Sequence, residues 1–272
     1  MVRSHPFHGC NASSILVGST MATLFTFGDS FSESFHKFYE TRETYTTRND
    51  YIHNFLGGRV PKIYSEIIAE KLGFDLVNRA ASQGFPEQSN CNESMFNNFY
   101  LSTPEMKEGD IVILQYTNIE RVKWACHDKL VSMLPNESYD RISSQSELDA
   151  IHHYQLNKSE DIWYKNLIFL ETFLLEFAKS KKLNIFFWTY SKKYYWVNYD
   201  YIKNNPNWLL NDKIEKINKN IKTIHDILIN LGGQTIDKET KGLIWDSHYG
   251  ETAHTILGDL FYEDIMKKIN NY

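Results

Sequence analysis

Two short stretches near opposite ends of the 272-residue chain carry the residue types that nucleophilic chemistry needs. Near the start, the apolar run Leu24-Phe25-Thr26-Phe27 stops on Gly28-Asp29-Ser30, and near the end Trp245-Asp246-Ser247-His248 stands just before an amphipathic segment. A serine hydroxyl is a poor nucleophile until an imidazole takes its proton, and that imidazole needs an acceptor to fix its tautomer and stabilise the cation it becomes. Ser30, His248 and Asp246 supply the nucleophile, the base and its orienter. Gly, Asp and Ser are also what turns favour, so the first stretch gains chemical meaning only from the Asp/His pair at the far end. His254 is a competing base, but its place inside the expected last helix points to packing.

These residues need elements to hold them. A hydroxyl placed where a strand breaks on Gly lies at the C-terminal edge of a sheet, where open α/β sheets keep their sites. Pro61 suits the first turn of a helix with Ile63, Ile67, Ile68 and Leu72 at helical spacing and Gly73 at its end, and Phe74 to Asn78 then reads as a second strand. Ile111 to Tyr116 is a continuous apolar run of the kind buried on both faces of a parallel sheet. A broad apolar face predicts a helix over Glu160 to Lys181, followed by a fourth strand from Leu183 to Thr189. Ile214, Ile217, Ile221, Ile224 and Leu228 predict one further helix ending at Gly232-Gly233. A short last strand near Ile236 and residues 243–245 and a final helix from Glu251 to Ile269 complete the pattern. Strands alternating with helices in this way predict an α/β chain, a three-layer α/β/α sandwich with a mainly parallel central sheet.

Two aromatic-rich stretches, residues 31–60 and 190–208, follow the first and fourth strands and are expected as loops bordering one crevice, with ordinary packing as the competing explanation. Residues 125–157 read as an insertion or cap, and 21–272 as a single domain. Residues 1–20 differ in composition from the rest and read as a disordered leader of the kind added for expression, with Met21 as the expected native start. The net charge of −5, with no clustered Lys/Arg face, argues against nucleic acid as a partner. Cys10, Cys91 and Cys126 are odd in number and lack a C-x-x-C pair, which argues against a disulfide framework and a zinc site. Ile15-Leu16-Val17 is too short for a signal-peptide core, and no apolar run reaches membrane-spanning length, so no membrane partner is expected and the compartment stays open. Without a secretion signal, the Asn-x-Ser sequons at Asn11, Asn92, Asn136 and Asn157 read as chance matches.

Four motifs stand in order, each at a strand end or just before a helix: Gly28-Asp29-Ser30, Asn78 to Gly84, Thr117-Asn118, and Asp246 to His248. This order resembles the SGNH (GDSL-type) hydrolase superfamily, in a variant similar to bacterial and phage proteins. The first block matches well. In the second, Asn78-Arg79-Ala80-Ala81-Ser82-Gln83-Gly84 is similar to the family's Asn-x-Ala-x-x-Gly, with Gln83 at the usual glycine position and Gly84 one residue later. The third, Gln115-Tyr116-Thr117-Asn118-Ile119-Glu120-Arg121, keeps the Asn and loses the flanking Gly and Asp. The fourth, Asp246-Ser247-His248, is one residue shorter than Asp-x-x-His, and His254 matches a histidine that often follows.

The resemblance implies a flavodoxin-like sandwich carrying a metal-free, cofactor-free serine esterase that works through an acyl-enzyme. Its oxyanion donors would be the backbone N–H of Ser30, that of Gly84 or Gln83, and the Asn118 side-chain amide. The substrate would be a small-molecule or glycan ester, first of all an O-acetyl group on a carbohydrate, with acyl transfer between sugars as a related outcome. The alternative from another class is a catalytically weak or inactive SGNH fold serving as a glycan-binding or structural module.

Overall fold

The structure is a computed structural model that describes residues 21–40, 47–80, 92–117, 122–126, 129–133, 149, 160–217 and 220–271. β1 (Thr23–Phe27) is followed by the short helices α1 (Phe35–Glu40) and α2 (Thr47–Asp50), the latter running into a π-helical turn over Tyr51–Phe55. α3 (Tyr64–Leu72), β2 (Asp75–Asn78), α4 (Asn92–Ser102) and β3 (Ile111–Tyr116) come next. An antiparallel hairpin of β4 (Val122–Cys126) and β5 (Lys129–Met133) precedes α5 (Glu160–Lys181), β6 (Asn184–Thr189), α6 (Lys192–Val197) and α7 (Tyr199–Asn204). A second hairpin, β7 (Glu215–Ile217) with β8 (Asn220–Lys222), leads to α8 (Ile224–Asn230), α9 (Ile236–Glu239) and the long α10 (Glu251–Asn270).

The central sheet has the order β2-β1-β3-β6 with every neighbouring pair parallel. Phe25 stands opposite both Val77 and Val112, and Val112 opposite Ile185. All of β3 is buried, as its apolar run Ile111 to Leu114 requires of a strand covered on both faces, and the polar Gln115 is buried with it. α3 and α10 cover one face, where Tyr64 meets Trp188 and Phe261 edge-on at 5.3 and 5.6 Å between ring centroids. α4 and α5 cover the other through the chain of rings Phe27, Phe99 and Phe177, each step 5.7 Å. The result is the three-layer α/β/α sandwich that the alternating pattern predicts. The outer edge of β6 is closed by residues 207–209, which exchange backbone hydrogen bonds with Phe187, so that edge offers no free ladder.

α3 begins at Tyr64, with the Glu66 carboxylate accepting the N–H of its N-cap Ile63 at 2.8 Å, so Pro61, expected in the first turn, lies just before the helix; α3 ends on Gly73 in the left-handed region at φ 68°, as the sequence predicts. The helix expected over Ile214 to Leu228 is instead a hairpin and a short helix. Thr223 is extended, its hydroxyl accepts the Asp226 N–H, and the Asp226 carboxylate accepts the Thr223 N–H. That capping box starts a new helix at Ile224 and forbids one running through it. The expected last strand is also absent: Ile236 opens α9, residues 243–245 form no strand, and only Thr235 bridges to Tyr249.

The two aromatic stretches contain short helices rather than open loops, and Tyr51, Tyr194, Tyr195 and Trp208 lie in the core. β4 and β5 occupy the start of the stretch expected as a cap; most of the remainder, like residues 1–20, lies outside the described residues. Among the described residues no helix is long and apolar enough to cross a membrane.

Candidate active site

Ser30 sits just past β1, in a turn closed by the Ser32 N–H donating to the Asp29 carbonyl at 3.0 Å. The Asp29 carboxylate is almost wholly buried and accepts from the Phe31 N–H at 2.9 Å, the Gln115 amide at 2.7 Å and the Tyr190 hydroxyl at 3.0 Å. Gln115 also accepts the Ser32 hydroxyl. From β2, the Asn78 amide donates to the Ser32 carbonyl at 2.9 Å. Gly28 is needed for space: a Cβ there would stand 2.6 Å from Gln115 Oε1 and 2.7 Å from Gln115 Cβ. The turn is thereby held by β2, β3 and the segment after β6, and the Ser30 side chain is left half-buried at the sheet's C-terminal edge.

His248 reaches this turn from the other end of the chain. Its Nε2 lies 2.8 Å from Ser30 Oγ, and its Nδ1 lies 2.5 Å from Asp246 Oδ1. Ionised carboxylate only accepts, so Nδ1 carries the proton and Nε2 of the neutral ring is left to accept from the Ser30 hydroxyl. The tight Asp246-Ser247-His248 spacing works because the His248 N–H also donates to Asp246 Oδ1, at 2.9 Å. The outer oxygen, Asp246 Oδ2, accepts the Thr47 hydroxyl at 2.7 Å and lies 4.0 Å from Arg48 Nε. Burial alone would raise the Asp246 carboxyl, but the hydrogen bond and charge of His248, with the Thr47 hydroxyl, hold it well below the usual carboxylate range. Phe31 packs on the imidazole at 4.7 Å, Tyr190 stacks on Phe31 at 4.1 Å, and Tyr249 meets Phe31 edge-on at 5.2 Å.

His254, the competing base, is fully enclosed against Phe35, Tyr64 and Tyr249. Burial, and then the nearby charges of Arg48 and His248, push its imidazole down to about 3, and its Nδ1 has no hydrogen-bond partner among the described residues. It is a packing residue, as its helical position suggests. Of the expected oxyanion donors, Gln83, Gly84 and Asn118 lie outside the described residues. Thr117 donates its N–H to Asn92 at 2.9 Å and its hydroxyl lies 3.3 Å from that of Tyr190, so β3 delivers Thr117 to the same edge.

No protein-family model, curated protein or solved structure matches the chain. The chemistry is therefore read from the side chains themselves. Among the described residues no group of three or more His, Cys, Asp or Glu is arranged to hold a metal ion. A cavity of about 640 Å³ where β8 and α8 meet the start of α6, with Lys192, Lys222 and Asp226 in its wall, includes none of the residues around Ser30.

Sequence reasoning missed four residues of this site. Gln115 had a signal, being the one polar side chain in an otherwise apolar strand. Tyr190 had half of one, since its stretch was expected to border the crevice but three of its seven aromatics, Tyr194, Tyr195 and Trp208, proved to be core. Thr47 and Arg48 had only the expectation that residues 31–60 border the crevice: they are polar residues in a stretch marked out by its aromatics, and nothing singled them out within it.

Proposed function

We propose that the chain is a serine hydrolase of the SGNH type, acting on short acyl esters. The observation that carries the reading is the continuous hydrogen-bonded line from Ser30 Oγ through His248 to Asp246. It joins residues more than two hundred positions apart, in the roles their chemistry suits. In this mechanism Ser30 Oγ attacks the ester carbonyl carbon while its proton passes to His248 Nε2. Negative charge gathers on the carbonyl oxygen, for which the N–H of Ser30, that of Gly84 or Gln83, and the Asn118 amide are the proposed donors. His248 then protonates the departing alkoxide, leaving an acyl-Ser30 ester. A water molecule, deprotonated by the same imidazole, splits that ester and releases the acid. Asp246, kept ionised by its hydrogen bonds, stabilises the imidazolium in both halves.

A short acyl group, foremost acetyl on a carbohydrate, suits the immediate surroundings. Phe31 packs on the imidazole and Tyr190 stacks on Phe31, and these half-buried rings would suit the flat face of a sugar better than a long aliphatic chain. The value of kcat/KM should accordingly fall from acetyl to octanoyl p-nitrophenyl esters. The deciding experiment is incubation with a serine-directed fluorophosphonate and peptide mapping. Label on Ser30, absent from Ser30→Ala, is the expected result; a folded wild-type protein that takes no label would favour the inactive glycan-binding module instead.

A further inference from the structure

Asp246 and Ser30 approach each other from distant parts of the chain, and one short element touches both. α2 begins with Thr47, whose hydroxyl donates to Asp246 Oδ2, and continues with Arg48, only 6% exposed. Arg48 Nη2 donates to the Ser30 carbonyl at 3.0 Å, Nη1 donates to Glu33 at 3.2 Å, and Nε lies 4.0 Å from Asp246 Oδ2. One turn later the Tyr51 hydroxyl binds Glu239 of α9 and accepts the Glu251 N–H, 3.0 Å away, at the start of α10. The segment is thus fastened to the nucleophile's turn on one side and to both flanks of the Asp246–His248 loop on the other.

We propose that Arg48 is a positioning residue of the site, fixing the separation between the Ser30 turn and the Asp246 carboxylate so that Ser30 Oγ and His248 Nε2 stay in register. The proposal rests on the reading of Ser30, His248 and Asp246 as nucleophile, base and orienter. Its physical basis is the fork of the guanidinium: a rigid plane with five donors can hold a carbonyl, a carboxylate and a second carboxylate edge at fixed mutual angles, whereas an ammonium is a point charge on a flexible stem. Asp246 Oδ1 is fully engaged by His248, so the orientation of the carboxylate is set through Oδ2, where Thr47 and Arg48 stand. The Ser30 carbonyl that Arg48 holds belongs to the same residue as the nucleophilic oxygen. A shift of about 1 Å in that residue can cost roughly 10² in rate.

Removing Arg48 alone would strip the buried Glu33 of its guanidinium neighbour, so the test uses Arg48→Gln with Glu33→Gln, beside Glu33→Gln alone and Arg48→Lys. Three quantities are read: kcat and KM for p-nitrophenyl acetate, the rate of fluorophosphonate labelling at Ser30, and the downfield proton NMR signal of His248 Nδ1–H. In the folded double variant kcat should drop by about 10- to 100-fold with KM within about twofold. Labelling should slow in parallel, and the Nδ1 proton signal should shift or broaden. Glu33→Gln, which loosens one arm of the fork, should lower kcat by less than the double variant does, and Arg48→Lys should fold without recovering kcat. A folded double variant with wild-type kcat and an unmoved Nδ1 signal overturns the proposal, as does Glu33→Gln reproducing the whole effect. Should the double variant fail to fold, Arg48→Lys carries the same three readouts. If the wild-type protein itself neither labels nor turns over, the hydrolase reading has failed and the Nδ1 signal alone decides the positioning role.

Discussion

Gln115 decides how Ser30 is presented. Its buried amide donates to Asp29 and accepts from Ser32, gripping the turn on both sides of Ser30, and its bulk excludes any side chain at position 28. Replacing Gln115 with Leu keeps the volume close but strips the buried Asp29 carboxylate of a donor. The expected cost is about 1–3 kcal/mol in urea unfolding, together with a lower kcat; an unchanged midpoint would mean the turn holds itself. Within the line of hydrogen bonds the roles predict an order of damage. His248→Ala removes the group that carries the proton, whereas Asp246→Asn leaves a side chain of the same shape, so the His248 change should lower kcat further in matched assays. That Ser30, His248 and Asp246 come together was legible in the sequence, because it follows from residue type and order along the chain. The grip of Gln115 and the reach of Arg48 were not, because both depend on which side chains the packed sheet and α2 bring together.

Between elements, α10 approaches α3 closely at Gly258. A Cβ on Gly258 would stand 2.8 Å from Ile67 Cβ and 2.9 Å from its Cγ2. In an unpacked helix Gly→Ala stabilises by about 1 kcal/mol; here the crowding should reverse the sign, with Gly258→Ala destabilising by about 1–3 kcal/mol. Thermal unfolding reads the sign directly, and a more stable variant would show that the two helices can slide apart freely. Element identity was readable wherever one apolar period ran unbroken between clear ends, as in α3 with Pro61 and Gly73, in β3, and in α10. It failed at Ile214 to Leu228, where isoleucines at helical spacing coincide with a hairpin. Spacing reports which face is apolar, but the Thr223/Asp226 capping box decides where a helix can begin, and it outweighed the period. The aromatic stretches failed for a related reason: composition marks a side chain as large and apolar without saying whether it lines a crevice or, like Tyr194 and Trp208, fills the core beneath it.

Over the whole molecule, two buried groups should give stability a pH dependence that largely hides itself. Glu171 on α5 accepts hydrogen bonds from Tyr194 at 3.0 Å, Tyr201 at 2.8 Å and the Trp208 indole at 3.0 Å, tying α5 to the segment that covers β6. Burial raises its carboxyl from 4.5 to about 7 despite those donors. Between these values the folded chain keeps a proton the unfolded chain has lost, so stability falls as pH rises through that window. His254 acts in the opposite sense. Its imidazole is depressed from 6.5 to about 3, so between those values the unfolded chain binds the extra proton and stability rises with pH. The windows overlap from 4.5 to 6.5, where each contributes a slope of up to about 1.4 kcal/mol per pH unit and the two cancel. Each variant should therefore uncover the other group. In urea midpoints measured across that overlap, Glu171→Gln should gain stability relative to wild type as pH rises, and His254→Leu should lose it. Parallel curves for both variants and wild type would mean that neither group is held away from its ordinary titration.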